Sequence, residues 1–342
     1  MKKYELIVGT DSYGGTSIES DYIYSAEKSY DGFKALAELG VKVWPHFLSN
    51  RLALDKTVMH ALLAKAVVNA GGFSEKIYQV KSLEAGRGFL RRGYVVKRNF
   101  SYEKRHVFLP DLHPMIDDRG QEFKRRNEDG ENLLAQEWKL TKNKELFFAL
   151  TFNPALLSLG EVRVYIAFGR VVEMLHTLSH NSAFPRTKER RKDTAESAWL
   201  RLQNIDRMRP PQSHFRVAFS QRWNQNTLWF NRDMIPDMSE DSGTNQVKNF
   251  ALRVYDDLIR KEHDVLRGNA YQRGVCGMRV LIRIDIGLIW DDTPTDSSLH
   301  KYRFIVNEIQ PGQCGLFAND KNARTSIIDG FIEGIQRGSL DG

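Results

Sequence analysis

The chain has 342 residues, of which 41% are hydrophobic and 11% aromatic, and 50 Lys and Arg against 43 Asp and Glu leave a net charge of +7. This is the composition of a globular protein with two or three domains, or one large core with lobes, and it excludes a disordered chain. The longest apolar stretches, such as Ala61 to Ala70, fall short of the roughly 20 residues a membrane span needs. No signal peptide is expected, because the Met1-Lys-Lys-Tyr-Glu start runs straight into a short strand-like patch. Cys276 and Cys314 are too few for a disulfide framework, so a reducing, cytoplasmic compartment is expected. The basic balance permits nucleic acid or an anionic small molecule as partner.

In chain order, Glu5 to Gly9 reads as a short buried strand. Ser25 to Gly40 carries Tyr30, Phe33, Leu36, Ala37 and Leu39 at near-helical spacing before a glycine stop. Val41 to Trp44 is a second strand ended by Pro45, so the beginning is a βαβ-like unit. Gly14-Gly15, between them, is a turn or a phosphate cradle. Asp55 to Asn69 predicts a helix with Val58, Leu62, Leu63, Ala66 and Val67 on one face. Gly93 to Phe100 predicts a strand carrying Lys97, followed by a charged segment and a short strand at His106 to Leu109. Residues 121–131 are polar and read as a solvated loop or helix surface. Leu133 to Trp138, Phe147 to Phe152 and Val162 to Phe168 read as three strands, the last opening a hairpin at Gly169-Arg170. Residues 178–246 contain Pro185, Pro210, Pro211 and Pro236, lack a periodic apolar pattern and read as an insertion or a poorly packed lobe. Val247 to His263 predicts a helix, Met278 to Trp290 and Tyr302 to Gln310 two strong strands, and Thr325 to Gln336 a closing helix.

The chemistry is concentrated in Arg283-Ile-Asp285 and Glu308-Ile-Gln310-Pro-Gly312. Side chains alternate along a strand, so each polar pair shares a face. If the two strands form a hairpin, two carboxylates, an amide and an arginine converge on one side while Ile and Val fill the other. Such a cluster is costly to bury without a counter-ion. Mg²⁺ with nucleotide phosphates is one relief, because it takes hard oxygen ligands. An edge hairpin with a solvated polar face is the other.

These strands resemble the metal-binding end of the ATP-grasp superfamily, whose pattern is Arg-x-Asp, then Glu-x-Asn, often with Pro-Gly. D-alanine–D-alanine ligases, the peptide ligases that modify ribosomal proteins and biotin carboxylase belong to it. Other pieces follow the family's order. Asp55-Lys56 opens a helix of the kind that carries the family's Asp-Lys, and Tyr94-Val-Val-Lys97 resembles the strand ending in the second ATP lysine. Ala135-Gln136-Glu137-Trp138 resembles the hinge whose backbone reads adenine. Glu161-Val-Arg163, with Gly169-Arg-Val-Val172, resembles the hairpin whose Arg faces phosphate or substrate.

The resemblance implies an α+β fold of ATP-grasp type, two α+β lobes gripping ATP, with a short N-terminal βαβ lobe and a polar insertion. The implied divisions are residues 1–72 (N-terminal lobe), 73–177 (small lobe and hinge), 178–246 (basic insertion) and 247–342 (large lobe with the metal-binding end). It implies ATP and Mg²⁺ as cofactors. Lys56 and Lys97 would contact phosphates, Gln136, Glu137 and Trp138 would line the adenine slot, and Asp285, Glu308 and Gln310 would hold Mg²⁺. Arg283 and the Gly312 backbone N–H would stabilise negative oxygen. The implied activity is a ligase that activates a carboxylate as an acyl phosphate for displacement by an amine or other nucleophile. A phosphotransferase acting on a hydroxyl, and a non-catalytic binding module, remain alternatives.

Two departures from the family pattern stand out. Gln310 occupies the position usual for Asn, and Arg98 to His106 lacks the glycines that let backbone N–H groups cover phosphate. From Pro185 to Arg222, ten Lys and Arg face four Asp and Glu, with Trp199, Phe215 and Phe219 interleaved. Such text can bind single-stranded nucleic acid, grip an acidic peptide or polyanionic substrate, or form a solvated helix. Because the rest of the chain is nearly neutral, a local anionic small molecule or peptide is favoured over nucleic acid, and no membrane partner is expected. Oligomeric state stays open.

Overall fold

The computed structural model describes residues 7–8, 34–35, 38–39, 43–44, 46–99, 107–110, 115–116, 122–123, 128–141, 143–153, 156, 160–178, 219–222, 240–267, 277–291, 301–312 and 321–337. The Gly14-Gly15 pair, most of the helix expected over 25–40, the loop 100–106 and most of the basic stretch lie outside these residues. The architecture is α+β. Strands β1 (Ile7–Val8) and β2 (Val43–Trp44) pair in parallel, in keeping with the expected βαβ start. Strands β6 (Met115–Ile116) and β7 (Glu122–Phe123) form a separate antiparallel pair.

A four-stranded antiparallel sheet has the order β3 (Tyr78–Gln79), β8 (Phe147–Thr151), β4 (Tyr94–Arg98), β5 (Val107–Phe108). Helix α3 (Leu83–Arg91) begins at Ser82, whose hydroxyl accepts from the Ala85 amide at 3.0 Å and so satisfies one orphan donor of the first turn. With helix α4 (Glu128–Leu140) it buries Val80, Leu90, Val96, Phe108, Leu134, Phe147 and Ala149 in one cluster.

Helix α4 corrects the strand expected at Leu133 to Trp138. Leu134, Glu137 and Trp138 turn inward while Leu133, Gln136 and Leu140 face solvent, which is the helical period and not the period of two. Trp138 lies 4.8 Å from the Phe147 ring, and the pair ties the helix to the sheet.

The five-stranded antiparallel sheet runs β11 (Phe219–Arg222), β10 (Arg170–Leu178), β9 (Glu161–Ala167), β12 (Leu281–Asp291), β13 (Lys301–Pro311). Helix α1 (Phe47–Leu54) and helix α2 (Lys56–Asn69) pack here with helix α5 (Glu240–Arg267), burying Leu52, Met59, Leu63, Phe250, Val254, Ile284 and Ile286 in one cluster. The short helix α6 (Gly277–Val280) leads into β12, where a single long strand was expected from Met278. Helix α7 (Lys321–Gln336) covers Val172 and Phe168 through Ile327 and Phe331.

Gly72 follows α2 where the chain passes under α5 and β13. A Cβ there would stand 2.7 Å from both the Phe250 ring and the Phe304 carbonyl, so only glycine lets the backbone pass.

Sheet and core membership cut across the expected divisions. Residues 47–70 share the core of the large sheet, and β9 and β10 hydrogen-bond within it, so neither the division after residue 72 nor the one after 177 separates cores. Within the expected insertion, β11 is the edge strand of this sheet and α5 already begins at Glu240.

Candidate functional site

The polar face expected of the β12–β13 hairpin is present. Asp285 stands opposite Glu308 and Arg283 opposite Gln310 across the ladder, and Arg163 of β9 stands opposite Asp285 from the other side. Ile282, Ile284 and Ile286 point the other way, into the core.

The register shifts after Asp285, so that Ile286 pairs with Val306 and Asn307 is an extra residue. A regular strand would place Val306 and Glu308 on the same face. The bulge lets Val306 enter the core while Glu308 joins the polar cluster, the re-aiming that bulges provide.

The charges form an alternating chain. The Arg283 guanidinium donates to both oxygens of Asp285, Nε–Oδ1 2.7 Å and Nη2–Oδ2 2.8 Å, and its Nη2 lies 3.9 Å from Glu308 Oε2. Glu308 pairs with the Lys56 ammonium, and Gln310 Nε2 is 3.5 Å from the same carboxylate. Arg163 Nε is 3.9 Å from Asp285 Oδ2, and its Nη2 donates to Glu161 Oε1 at 3.3 Å. Asn307 donates to the other Glu161 oxygen at 3.0 Å. The Arg163 Nε itself is buried and makes no hydrogen bond among the described residues.

Burial pushes the Asp285 carboxyl above its ordinary range, and Arg283 offsets this only in part. For Glu308 burial acts in the same direction, but Lys56 and Arg283 outweigh it and hold the carboxylate low. Burial disfavours the charged form of Arg283 too, yet the Asp285 and Glu308 carboxylates raise its pKa overall.

Lys56 is the first residue of α2, delivered by the N-cap Asp55. Lys97 leaves β4 between Val107 and Phe148 of the neighbouring strands. Burial lowers its pKa, with Glu75 opposing, and it also lies within the fields of Lys56, Glu308 and Glu161. Burial in turn raises Glu75, against the pull of Lys97.

His60 lies one turn after Lys56 on the same helix face. Burial, with Lys97 and Lys56 nearby, lowers it to about 3, so it is neutral at ordinary pH. The unfolded chain takes up a proton on this side chain near 6.5 and the folded one does not. Stability is therefore lost as pH falls from 6.5 toward 3. Denaturant titrations of His60→Gln should show this acid slope reduced by up to about 1.4 kcal/mol per pH unit. An unchanged slope would mean that His60 is protonated in the folded protein.

Lys56, Arg163, Arg283, Asp285, Glu308 and Gln310 thus come together, with Lys97 in electrostatic contact. Two expectations need correction. Gln136, Glu137 and Trp138 lie inside α4, where the Glu137 carbonyl already accepts from the Thr141 amide at 2.9 Å, so this backbone cannot read a base edge. Gln136 is exposed, while Glu137 is buried against Arg98 and Thr141. The Gly312 amide donates to the Leu281 carbonyl at 2.8 Å and is not open to an oxyanion.

Sequence reasoning missed Glu75, His60 and Asn99; Glu161 entered it only as part of the hairpin motif, and Asn307 only as a residue that could compensate for Gln310. Only His60 left a signal, its four-residue spacing from Lys56.

The donors at the site are two carboxylates and an amide oxygen, a hard-oxygen set suited in kind to Mg²⁺. Among the described residues no group of three or more His, Cys, Asp and Glu is arranged to hold a metal. A separate cavity of about 260 Å³ lies between the β9–β10 turn and α7. Its Arg170 and Arg337 are both paired with Glu333.

The chain is similar in structure to solved ligases. One is D-cycloserine synthetase DcsG, at 15% identity over 94% of this chain and 86% of that one, with a TM-score of 0.46. A second is D-alanine–D-alanine ligase from Bacillus anthracis complexed with ATP, at 11% identity over 89% and 74%, TM-score 0.41. A third is ATP-grasp ligase PsnB complexed with minimal precursor, at 14% over 93% and 74%, TM-score 0.40. No protein-family pattern matches the chain, and no curated protein sequence matches it. Among the described residues no helix is long and apolar enough to cross a membrane.

Proposed function

We propose that the chain is an ATP-dependent ligase of ATP-grasp type, which activates a carboxylate as an acyl phosphate and joins it to an amine or other nucleophile. The observation that carries this reading is the meeting of Lys56, Arg283 and Arg163 with Asp285 and Glu308 on one sheet face, within the field of Lys97. Phosphoryl transfer needs little covalent help from a protein. It needs fixed cations around the charged oxygens and a rigid frame that holds the reactants in line.

Arg163 supports the reading further, since its Nε makes no hydrogen bond among the described residues and lies 3.9 Å from Asp285 Oδ2 on this face. Lys56 and Lys97 would bind the phosphates, and Arg283 and Arg163 would balance charge on the reacting carboxylate. Asp285, Glu308 and Gln310 would hold Mg²⁺, which when bound supplies further charge neutralisation. The anionic substrate expected from the basic stretch at 185–222 is part of the same proposal.

The test is to incubate the full chain with Mg-ATP and panels of carboxylic acids and amines, following ADP, free phosphate and product mass. A ligase yields ADP, phosphate and an amide only when both substrates are present. ADP without free phosphate would move the assignment to a phosphotransferase. No ATP-linked rise in melting temperature, together with salt-sensitive oligonucleotide binding, would overturn it in favour of a binding module.

A further inference from the structure

The first turn of α2 leaves three amides without helical partners, those of Lys56, Thr57 and Val58. Asp55 takes two of them, its Oδ1 accepting from Thr57 N at 3.1 Å and Val58 N at 3.2 Å. The third goes to another part of the chain. Asn99 Oδ1 accepts the Lys56 amide at 2.6 Å, and Asn99 Nδ2 donates to Asp55 Oδ1 at 2.6 Å. Asn99 is only 4% exposed, and its own amide is fixed to the Leu146 carbonyl at 2.7 Å. It follows β4 directly, two residues after Lys97.

We propose that Asn99 is a positioning residue that sets Lys97 and Lys56 against each other. One amide side chain clasps the end of the strand that carries the first lysine to the cap and first amide of the helix that carries the second. The residue type follows from charge. Two ammonium groups held close together repel, and Glu308 and Glu75 already supply the balancing carboxylates. A neutral side chain that both donates and accepts can join the elements without adding charge. An aspartate at position 99 would set its carboxylate against that of Asp55, and a leucine would leave the Lys56 amide buried and unpaired. The role of this clasp in nucleotide binding rests on the ATP-ligase reading, whereas its effect on the two lysines does not.

The experiment uses Asn99→Asp, Asp55→Asn, the double swap Asn99→Asp/Asp55→Asn, and Asn99→Ser as a charge-neutral variant that shortens the clasp. The double swap keeps the total charge and one donor facing one acceptor, with their places exchanged. The carboxylate introduced at position 99 accepts the Lys56 amide and an amide proton from the carboxamide introduced at position 55, whose oxygen still caps the helix. Two readouts are followed besides melting temperature. One is the pH dependence of acetylation at Lys97, read by mass spectrometry. The other is the affinity for a non-hydrolysable Mg-ATP analogue, read by calorimetry.

Asn99→Asp should shift the Lys97 labelling curve to higher pH and weaken analogue binding by about tenfold or more. The double swap should return both to within about threefold of the parent. Asn99→Ser should weaken binding without the labelling shift that an added charge brings. If melting temperature falls and recovers across the series while neither labelling nor affinity moves, Asn99 is a structural tie only and the proposal fails. If the parent chain binds no analogue, the ATP reading fails, and the labelling curves alone decide the coupling of the lysines.

Discussion

Glu308→Ala is expected to lower ATP turnover by about 10²–10³-fold while leaving the fold intact. Glu308 receives Lys56, faces Asp285 across the ladder and lies 3.9 Å from Arg283, so its removal unbalances Lys56 and Arg283 at once. Yet its side chain is 28% exposed. Partly exposed ion pairs contribute little to folding, on the order of 1 kcal/mol or less. Steady-state ADP release and urea unfolding, measured on the same preparations, separate the two effects. Turnover within about threefold of the parent, with an unchanged unfolding midpoint, would remove Glu308 from the site.

Arg283→Met is expected to do the reverse and strike stability first. Asp285 is 1% exposed and both its oxygens are held by Arg283. Methionine leaves that carboxylate in the sheet with only Arg163, at 3.9 Å, to answer it. Breaking a buried pair from one side costs about 3–5 kcal/mol. The sign with pH follows from Asp285, whose pKa burial already raises and which loses its main opposing charge. A carboxyl held above its unfolded value destabilises the fold most at neutral pH. The deficit should therefore shrink as pH falls toward about 4, the unfolded carboxyl range. Arg283→Met/Asp285→Leu, which removes both charges, should recover most of the loss. If the single variant unfolds at the parental denaturant concentration, the pair is not the buried support that its geometry describes.

The two variants contrast because neighbouring strands place similar charges at different depths. That difference was only half legible beforehand. Arg283-Ile-Asp285 and Glu308-Ile-Gln310 announce a shared face through the period-two alternation of strands, and the structure has that face. The bulge at Asn307 left no trace in the text, because it depends on which residues of β13 find partners on β12. The segment Leu133-Leu-Ala-Gln-Glu-Trp138 is short and mixed enough to fit either period, and its burial against Phe147 and Phe108 makes it helical. The Gly312 amide was expected to face an oxyanion because the resemblance implies that role for it. Whether a carbonyl meets it depends on Leu281, 31 residues away.

What the amino-acid order determined by itself is the set of local periods and caps. These are the helix that Asp55 opens, the strand that ends near Lys97, the hairpin signalled at Gly169 and the two polar-faced strands near the C-terminus. Each depends on interactions within a few residues, where spacing is sufficient information. Tertiary structure alone decided which lysine meets which carboxylate, how deep each charge lies and that Asn99 joins Asp55 and Lys56. Those outcomes depend on contacts between residues tens to hundreds of positions apart. The pairing energy of a charge is set by burial and partner distance, and neither is written in its neighbours.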